Sequence, residues 1–296
     1  MLRRLKTRFI VNPFSGHASR ALARVRAHAA ASGAEVHLTA RPRHATELAL
    51  MALADDCELV VAVGGDGTLN EVATALVGTD AVFGLVPCGS GDGLGRHLGI
   101  HGTISHALEI LRSGHSRRID TGLADGHPFF TAAGVGFEAE VSARFNRLSS
   151  RGFLRYLTTS AALWRTFEPE DYQIEQDGRV TTVRAFTVAI ANADQYGNNA
   201  RIAPGGRIDD GLLNLTAVPP VSFVNGLPLL LRLFNGTIGG AHGVCRLTGP
   251  RFAVTRSNAG LIHTDGEVHA AGPRVEFVIR PLSLRVMAPD GRHKSS

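Results

Sequence analysis

Through about residue 120 the apolar positions fall in short unbroken runs, each followed by a stretch with helical spacing. "TRFIV", "AEVHLTA", "ELVVAV" and "AVFGLVP" read as buried strands. Between and after them, an Ala/Arg-rich segment over 18–31, "ATELALMALAD", "TLNEVATALV", a short stretch near 93–98 and "ISHALEILRS" read as helices, the last ended by Gly114. This alternation predicts a mostly parallel sheet with helices on both faces. Beyond residue 122 the pattern changes. "FFTAAGVGFEAEVSARFNRL" still gives a strand and a helix, and "GFLRYLTTSAALWRTF" another helix, but short β-rich runs with turns then follow. In one of them Val275, Phe277 and Ile279 alternate with polar residues, as in a half-buried antiparallel strand. The expected fold is an α/β N-terminal domain over 1–122, with a returning segment 283–296, and a β-sandwich-like domain over 123–282. The tail "DGRHKSS" is expected to fray.

Composition narrows the class. The 296 residues are 44% hydrophobic and 19% charged, ordinary for a globular protein. The net charge of +5 and a pI near 9.6 suit an anionic ligand, an anionic membrane surface or nucleic acid without choosing among them. Sparse aromatic residues and the lack of a recognition motif argue against nucleic acid. Three cysteines without CxxC spacing point to a reducing, cytoplasmic setting. The strongest later apolar run, "VNGLPLLLRLF", is broken by Pro228 and Arg232 and falls short of the ~20 residues of a spanning helix. Any membrane contact is therefore expected to be peripheral, with core burial the competing explanation for this run. Homodimerisation stays open.

The chemistry concentrates where strands end. In "VAVGGDGTLNEV", Gly64 and Gly65 let the backbone approach a ligand, and Thr68-Leu69-Asn70-Glu71 has the S/T-x-x-E pattern that predicts a helix start at Thr68. The N–H groups of that first turn would form an anion site. Asp66 is out of place beside an anion unless a cation such as Mg²⁺ joins it. "VNPFSG" and "VPCGSGDGLGRHLG" are two further glycine loops at strand ends. In a parallel sheet all three emerge at one edge, where ligands bind. None fits GxxxxGK[ST] or GxGxxG with a following acid, which argues against a dinucleotide oxidoreductase.

Two acidic loops stand out later. In "GGRIDDGLLNL", Asp210 is a candidate metal ligand, and a plain Asp-Gly turn explains the pattern equally well. In "HTDGEV", Asp265 and Glu267 would share one face if extended, and two close carboxylates suit a general base. A hairpin turn is the alternative. His263 and His269 lack a third ligand at zinc spacing.

Together with "AAGVGFEAEV", "IANADQYGNNARIAPGGRIDDGLLNL" and "HTDGE", these stretches resemble, in order and approximate spacing, the diacylglycerol kinase catalytic-domain superfamily, which includes bacterial diacylglycerol kinases, YegS-like lipid kinases and sphingosine and ceramide kinases. The resemblance runs from residue 8 to 289. "GGDGT" alone is shared with NAD kinases and resembles the phosphofructokinase pattern. The resemblance implies two domains with ATP in the cleft between them. Asn12, Pro13, Phe14, Ser15, Gly16, Thr39, Gly64, Gly65, Gly67, Thr68, Leu69, Asn70 and Ser90 would line the nucleotide. Asp66 would hold Mg²⁺ or orient the acceptor hydroxyl. Asp265 and Glu267 match the family's "DGE", where an acid is thought to deprotonate the lipid. Asp210, with Leu212 and Arg207, matches a structural Mg²⁺ site. Where bacterial diacylglycerol kinases tend to read G-T-x-N-D-x-A-R, this chain has Asp92 for the Asn and Gly93 for the Asp, and "GSG" is closer to sphingosine kinases. Asn214 stands where an Asp is common.

An ATP-dependent lipid kinase is thus the leading expectation. An NAD-kinase-like enzyme with a soluble substrate and a catalytically inactive lipid-binding regulator are the alternatives.

Overall fold

The computed structural model describes residues 5–89, 91–148 and 153–289. The chain divides into two units, one running to Ile119 and resuming at Leu282, the other spanning Asp120–Pro281. In the first unit, strands β1 (Thr7–Val11), β2 (Glu35–Leu38), β3 (Leu59–Gly64) and β4 (Val82–Pro87) alternate with helices α1 (Ala18–Ser32), α2 (His44–Ala54), α3 (Asp66–Leu76), α4 (Gly93–His97) and α5 (Ile104–Ser113). The strands are parallel in the order β2–β1–β3–β4. β3 is buried along its whole length, as its unbroken apolar run requires. On α3 the predicted apolar face of Leu69, Val72, Ala73 and Leu76 is the buried one. Full burial of side chains such as Phe9 and Phe83 contributes ~1.5–3 kcal/mol each.

β5 (His115–Ala124) leads into the second unit. There β6 (His127–Phe129) and β7 (Ala132–Gly136) precede helices α6 (Phe137–Asn146) and α7 (Phe153–Trp164), followed by β8 (Glu170–Gln176), β9 (Arg179–Ala185), β10 (Thr187–Ala191) and β11 (Leu213–Val218). Helix α8 (Phe223–Phe234) then gives way to β12 (Cys245–Gly249), β13 (Arg251–Thr255), β14 (Gly260–Thr264), β15 (Glu267–Ala271) and β16 (Arg274–Ala288). One antiparallel sheet has the order β12–β11–β10–β7–β14–β15, and a second pairs β16–β13–β8–β9. Val135, Ile190 and Leu215 of the first sheet share a core with Tyr172, Phe252 and Phe277 of the second, the arrangement of a β-sandwich. Val275, Phe277 and Ile279 all point into that core. The end of β16 rejoins the first unit, where Arg285 and Val286 pair in parallel with Val82 and Phe83 of β4. Residues 290–296, the tail expected to fray, lie outside the described residues.

Candidate active site

The end of β3 starts the glycine-lined floor of the first unit. Gly65 leaves the strand extended (φ −90°, ψ −178°) and caps α3, whose first residue is Asp66. The expected start at Thr68 is corrected. Glu71 does not close a capping box; its carboxylate accepts the backbone N–H groups of Arg43 and Ala45 at 3.2 and 3.0 Å, tying the start of α2 to α3. Thr68 Oγ1 accepts from Asn12 Nδ2 at 3.1 Å. The earlier start places Asp66 in the first turn, at the positive end of the helix dipole.

The glycine loops after β1, β3 and β4 interlock. The Asn12 N–H donates to Val63 O at 2.9 Å, Cys88 N–H to Gly64 O at 2.7 Å, and His17 N–H to Cys88 O at 3.0 Å. The approach is too close for side chains. A β-carbon on Gly16 (φ +49°) would lie 1.9 Å from Cys88 O, and one on Gly89 would lie 2.9 Å from the Gly65 α-carbon. Asn12 Oδ1 accepts the Phe14 N–H, which shapes the first loop. Thr39 is buried, with its N–H bound to Val11 O. Leu69 is 3% exposed, so its side chain belongs to the core and only its backbone is available to a ligand. Ser90 lies outside the described residues.

Asp66 has a close acidic neighbour. Its Oδ2 accepts the Asp92 N–H at 3.3 Å, and a β-carbon on Gly91 would lie 2.5 Å from that oxygen. Asp92 is buried in a left-handed conformation (φ +51°), and its Oδ1 has no partner. Burial first, and the charge of Asp66 second, push its pKa up to about 7. The Asp92 Oδ1 that has no partner, set beside the Asp66 carboxylate at the head of α3, is oxygen donor chemistry that a hard divalent cation satisfies, so the residues fit Mg²⁺.

The acids of the second unit are held by backbone. Asp210 Oδ1 accepts the Leu212 N–H at 3.1 Å, and the intervening Gly211 N–H donates to Asp120 Oδ2 at 2.7 Å. Asp120 is fully buried. Two carboxylates that bind one turn, Asp210 from within it and Asp120 from β5, offer oxygen donors of the kind that suits Mg²⁺. The Arg207 guanidinium lies 3.2 Å from Asp209, so Arg207 can offer a cation only its carbonyl. Among the described residues no three His, Cys, Asp or Glu side chains converge, so a divalent ion would complete its shell from backbone, water or phosphate.

Asp265 and Glu267 do not share a strand face. Asp265 (φ +49°) and Gly266 (φ +84°) form the two-residue turn between β14 and β15, because Thr264 pairs directly with Glu267. The Asp265 carboxylate accepts the N–H groups of Phe130, Thr131 and Ala132 at 2.7, 2.9 and 3.0 Å, and the Thr131 hydroxyl. Glu267 is exposed.

Sequence reasoning missed the residues that join these loops. Asn192 Nδ2 donates to both Asp120 O and Phe130 O at 2.9 Å, so one buried amide links the Asp120–Gly211 contact to the strand end that grips Asp265. A lone acid in β5 was the only signal for Asp120. Glu138, inside the quoted "VGFEAEV", accepts from the Tyr196 hydroxyl and faces His263 Nε2 at 3.2 Å. His263 is buried and its Nδ1 has no partner. The two histidines of the "HTDGEV" region go separate ways, since His269 stacks on His127 and contacts Thr264 Oγ1.

Two family profiles match the chain: the diacylglycerol kinase catalytic domain over residues 6–124, and the YegS C-terminal NAD kinase beta sandwich-like domain over 131–288. An uncharacterized protein of Synechocystis is 33% identical over 239 residues, 78% of this chain, and the chain spans 54% of that longer relative. A "Probable lipid kinase YegS-like" of Pseudomonas fluorescens is 31% identical, with 86% of each chain covered. A "Diacylglycerol kinase" of Mycobacterium tuberculosis is 30% identical, with 96% of this chain and 95% of that one covered. A crystal structure of a diacylglycerol kinase from Bacillus anthracis has the same fold, with a TM-score of 0.77 at 18% identity over 98% of this chain and 99% of that one.

Proposed function

This chain belongs to the family of diacylglycerol kinase catalytic domains joined to a YegS-type sandwich, and from that premise we infer that it is an ATP- and Mg²⁺-dependent lipid kinase. Its acceptor would be the hydroxyl of a lipid such as diacylglycerol or a sphingoid base. The observation that carries the reading is the interlocked floor of three glycine loops with Asp66 at the head of α3. A phosphate chain can approach such bare backbone and receive its N–H groups.

In the proposed reaction the lipid hydroxyl oxygen bonds to the γ-phosphorus, the bond from that phosphorus to the β–γ bridging oxygen breaks, and ADP leaves. The hydroxyl proton passes to a carboxylate. Mg²⁺ held at Asp66 would supply neutralisation of phosphate charge, which with positioning accounts for most catalysis of this kind. Glu267 is the better proton acceptor, because its side chain is exposed whereas both oxygens of Asp265 already accept hydrogen bonds. Asp265 then fixes the turn that presents Glu267. Asp210 and Asp120 would hold a second, structural Mg²⁺ that stiffens their loop.

The test is transfer of label from [γ-³²P]ATP, with Mg²⁺, to mixed micelles of diacylglycerol, monoacylglycerol, sphingosine or ceramide, with NAD as a soluble control. A labelled lipid supports the reading and names the acceptor class. Label only in NADP moves the protein to the soluble-substrate class, and no label with any acceptor removes the catalytic reading.

A further inference from the structure

Helix α8 carries two apolar stripes, of which the described residues cover one. Leu229 and Leu233 turn inward against Ala191, Ile202, Val218 and Ile238. Gly226 sits on the indole of Trp164 so closely that a β-carbon there would lie 2.8 Å from the ring, which fixes how the helix lies on the second unit. Leu227 and Leu231, one turn apart on one side of the helix, point away from that contact and are 61% and 56% exposed. Leu230 beside them is 40% exposed. A single exposed leucine needs no explanation, but three within five residues of one helix form a patch.

The patch has a cationic border. Arg232 lies in the last turn of α8, and Arg246 reaches the Ile238–Gly240 turn that follows the helix. Their guanidinium groups donate to the carbonyls of Thr237 and Pro204, at 3.3 and 3.4 Å. Neither is ion-paired with a carboxylate among the described residues. Four other exposed arginines, Arg41, Arg112, Arg251 and Arg274, each lie 2.6–2.9 Å from a glutamate oxygen.

We propose that this side of α8 is a membrane-docking surface, with Leu227, Leu230 and Leu231 entering the acyl boundary of a bilayer and Arg232 and Arg246 meeting the phosphates of anionic headgroups. Leucines beside cationic side chains on one helix are the pattern of a helix that lies in the interface plane. Charge favours a bilayer over a second copy of this face, since residues 211–264 contain no Asp or Glu to meet the two arginines, whereas anionic headgroups supply phosphates. The proposal rests on the lipid-kinase reading for its purpose, because that substrate resides in the bilayer, but the binding itself requires neither ATP nor turnover.

Sedimentation of the full chain with vesicles of phosphatidylcholine, with and without phosphatidylglycerol, tests it. The protein is expected to bind the mixed vesicles in preference to the neutral ones. Leu227→Asp with Leu231→Asp should lower the partition coefficient by about tenfold or more, as loss of two inserted side chains predicts. Arg232→Glu with Arg246→Glu should abolish the preference for phosphatidylglycerol. All four side chains are exposed, so thermal unfolding should match the wild type, and activity on a short-chain soluble lipid should not change. Absence of vesicle binding by the wild type, wild-type binding by the leucine variant, or a leucine-dependent dimer without vesicles would each overturn the surface. Leucine-dependent vesicle binding without phosphorylation of any lipid would keep the surface and remove the kinase reading; phosphorylation of soluble lipid without vesicle binding would do the reverse.

Discussion

The backbone N–H of Asp92 donates to Oδ2 of Asp66, which sets two carboxyl groups side by side on the glycine floor of the first unit. Asp92 is the buried one, with its pKa pushed from 3.8 to about 7 by burial and then by the charge of Asp66. An acid whose pKa is higher folded than unfolded holds its proton more tightly in the folded state. Stability is therefore undiminished below about pH 4, falls as pH rises toward about 7, and stays reduced above it, at up to ~1.4 kcal/mol per pH unit. In EDTA, Asp92→Asn should remove this slope and unfold at a higher temperature than the wild type at pH 8 (the total gain is on the order of a few kcal/mol). Mg²⁺ should then raise the wild-type unfolding temperature more than that of the variant. Parallel pH profiles for the two proteins would show that the buried carboxyl is not what sets the slope.

Gly16 and Gly67 separate fold from ligand. At Gly16 a β-carbon meets a backbone oxygen that cannot move aside, and its φ is in the left-handed region. Gly16→Ala should cost ~1–3 kcal/mol of stability and raise the KM for ATP with it. Gly67, in the exposed first turn of α3, has nothing within 4 Å of such a carbon. Gly67→Ala should unfold like the wild type yet bind ATP about tenfold or more weakly, because only a phosphate at the helix start would meet the methyl group. Calorimetric ATP binding and thermal unfolding on both variants give the comparison. An unchanged ATP affinity in Gly67→Ala would remove the phosphate from that helix start.

What could be read from the sequence was what local pattern encodes. The parallel strands, the buried face of α3 and the alternation through β16 follow from periodicity alone. The helix start at Thr68 was misread because Glu71, which a capping box would keep local, is taken by the start of α2, 26 and 28 residues away in sequence. The same blindness hid Asp120 and Asn192, whose partners lie 91, 72 and 62 residues away. The glycine loops were legible as a group because a parallel sheet places its strand ends at one edge. Asp265 and Glu267 were legible as a pair with two readings, a shared strand face or a hairpin turn, because the "DG" signal competes with the alternating run on either side; the pairing of Thr264 with Glu267 decides for the turn.

Asp66 lies in the first turn of α3, the helix start at which the proposed phosphate would bind. Asp66→Asn keeps the size of the side chain and its place in the first turn of α3, so the fold should survive. Loss of the charge should lower kcat by about 10²-fold or more, on the scale set by removing a general base or an essential charge. It should also lower the pKa of Asp92, whose elevation Asp66 helps to cause, and so flatten the pH profile of stability. Label transfer and thermal unfolding on one preparation check both parts, and wild-type turnover would exclude Asp66 from the chemistry.

Asp265 and Glu267 sit two residues apart but should fail in different ways. Asp265→Ala leaves the N–H groups of Phe130, Thr131 and Ala132 without their acceptor, and each buried orphan costs ~1–3 kcal/mol. The variant should therefore be destabilised by several kcal/mol, with activity falling as the turn loosens. Asp265→Asn retains one acceptor oxygen and should lie between it and the wild type. Glu267→Gln removes an exposed carboxylate with no such duties, so its unfolding temperature should not move while kcat falls by about 10²-fold or more. The discriminating readout is the pair of values, kcat and unfolding temperature, across the three variants. If Asp265→Asn lost turnover at unchanged stability while Glu267→Gln stayed active, the proton would pass to Asp265, and the hydrogen bonds that surround it would be holding a base in place.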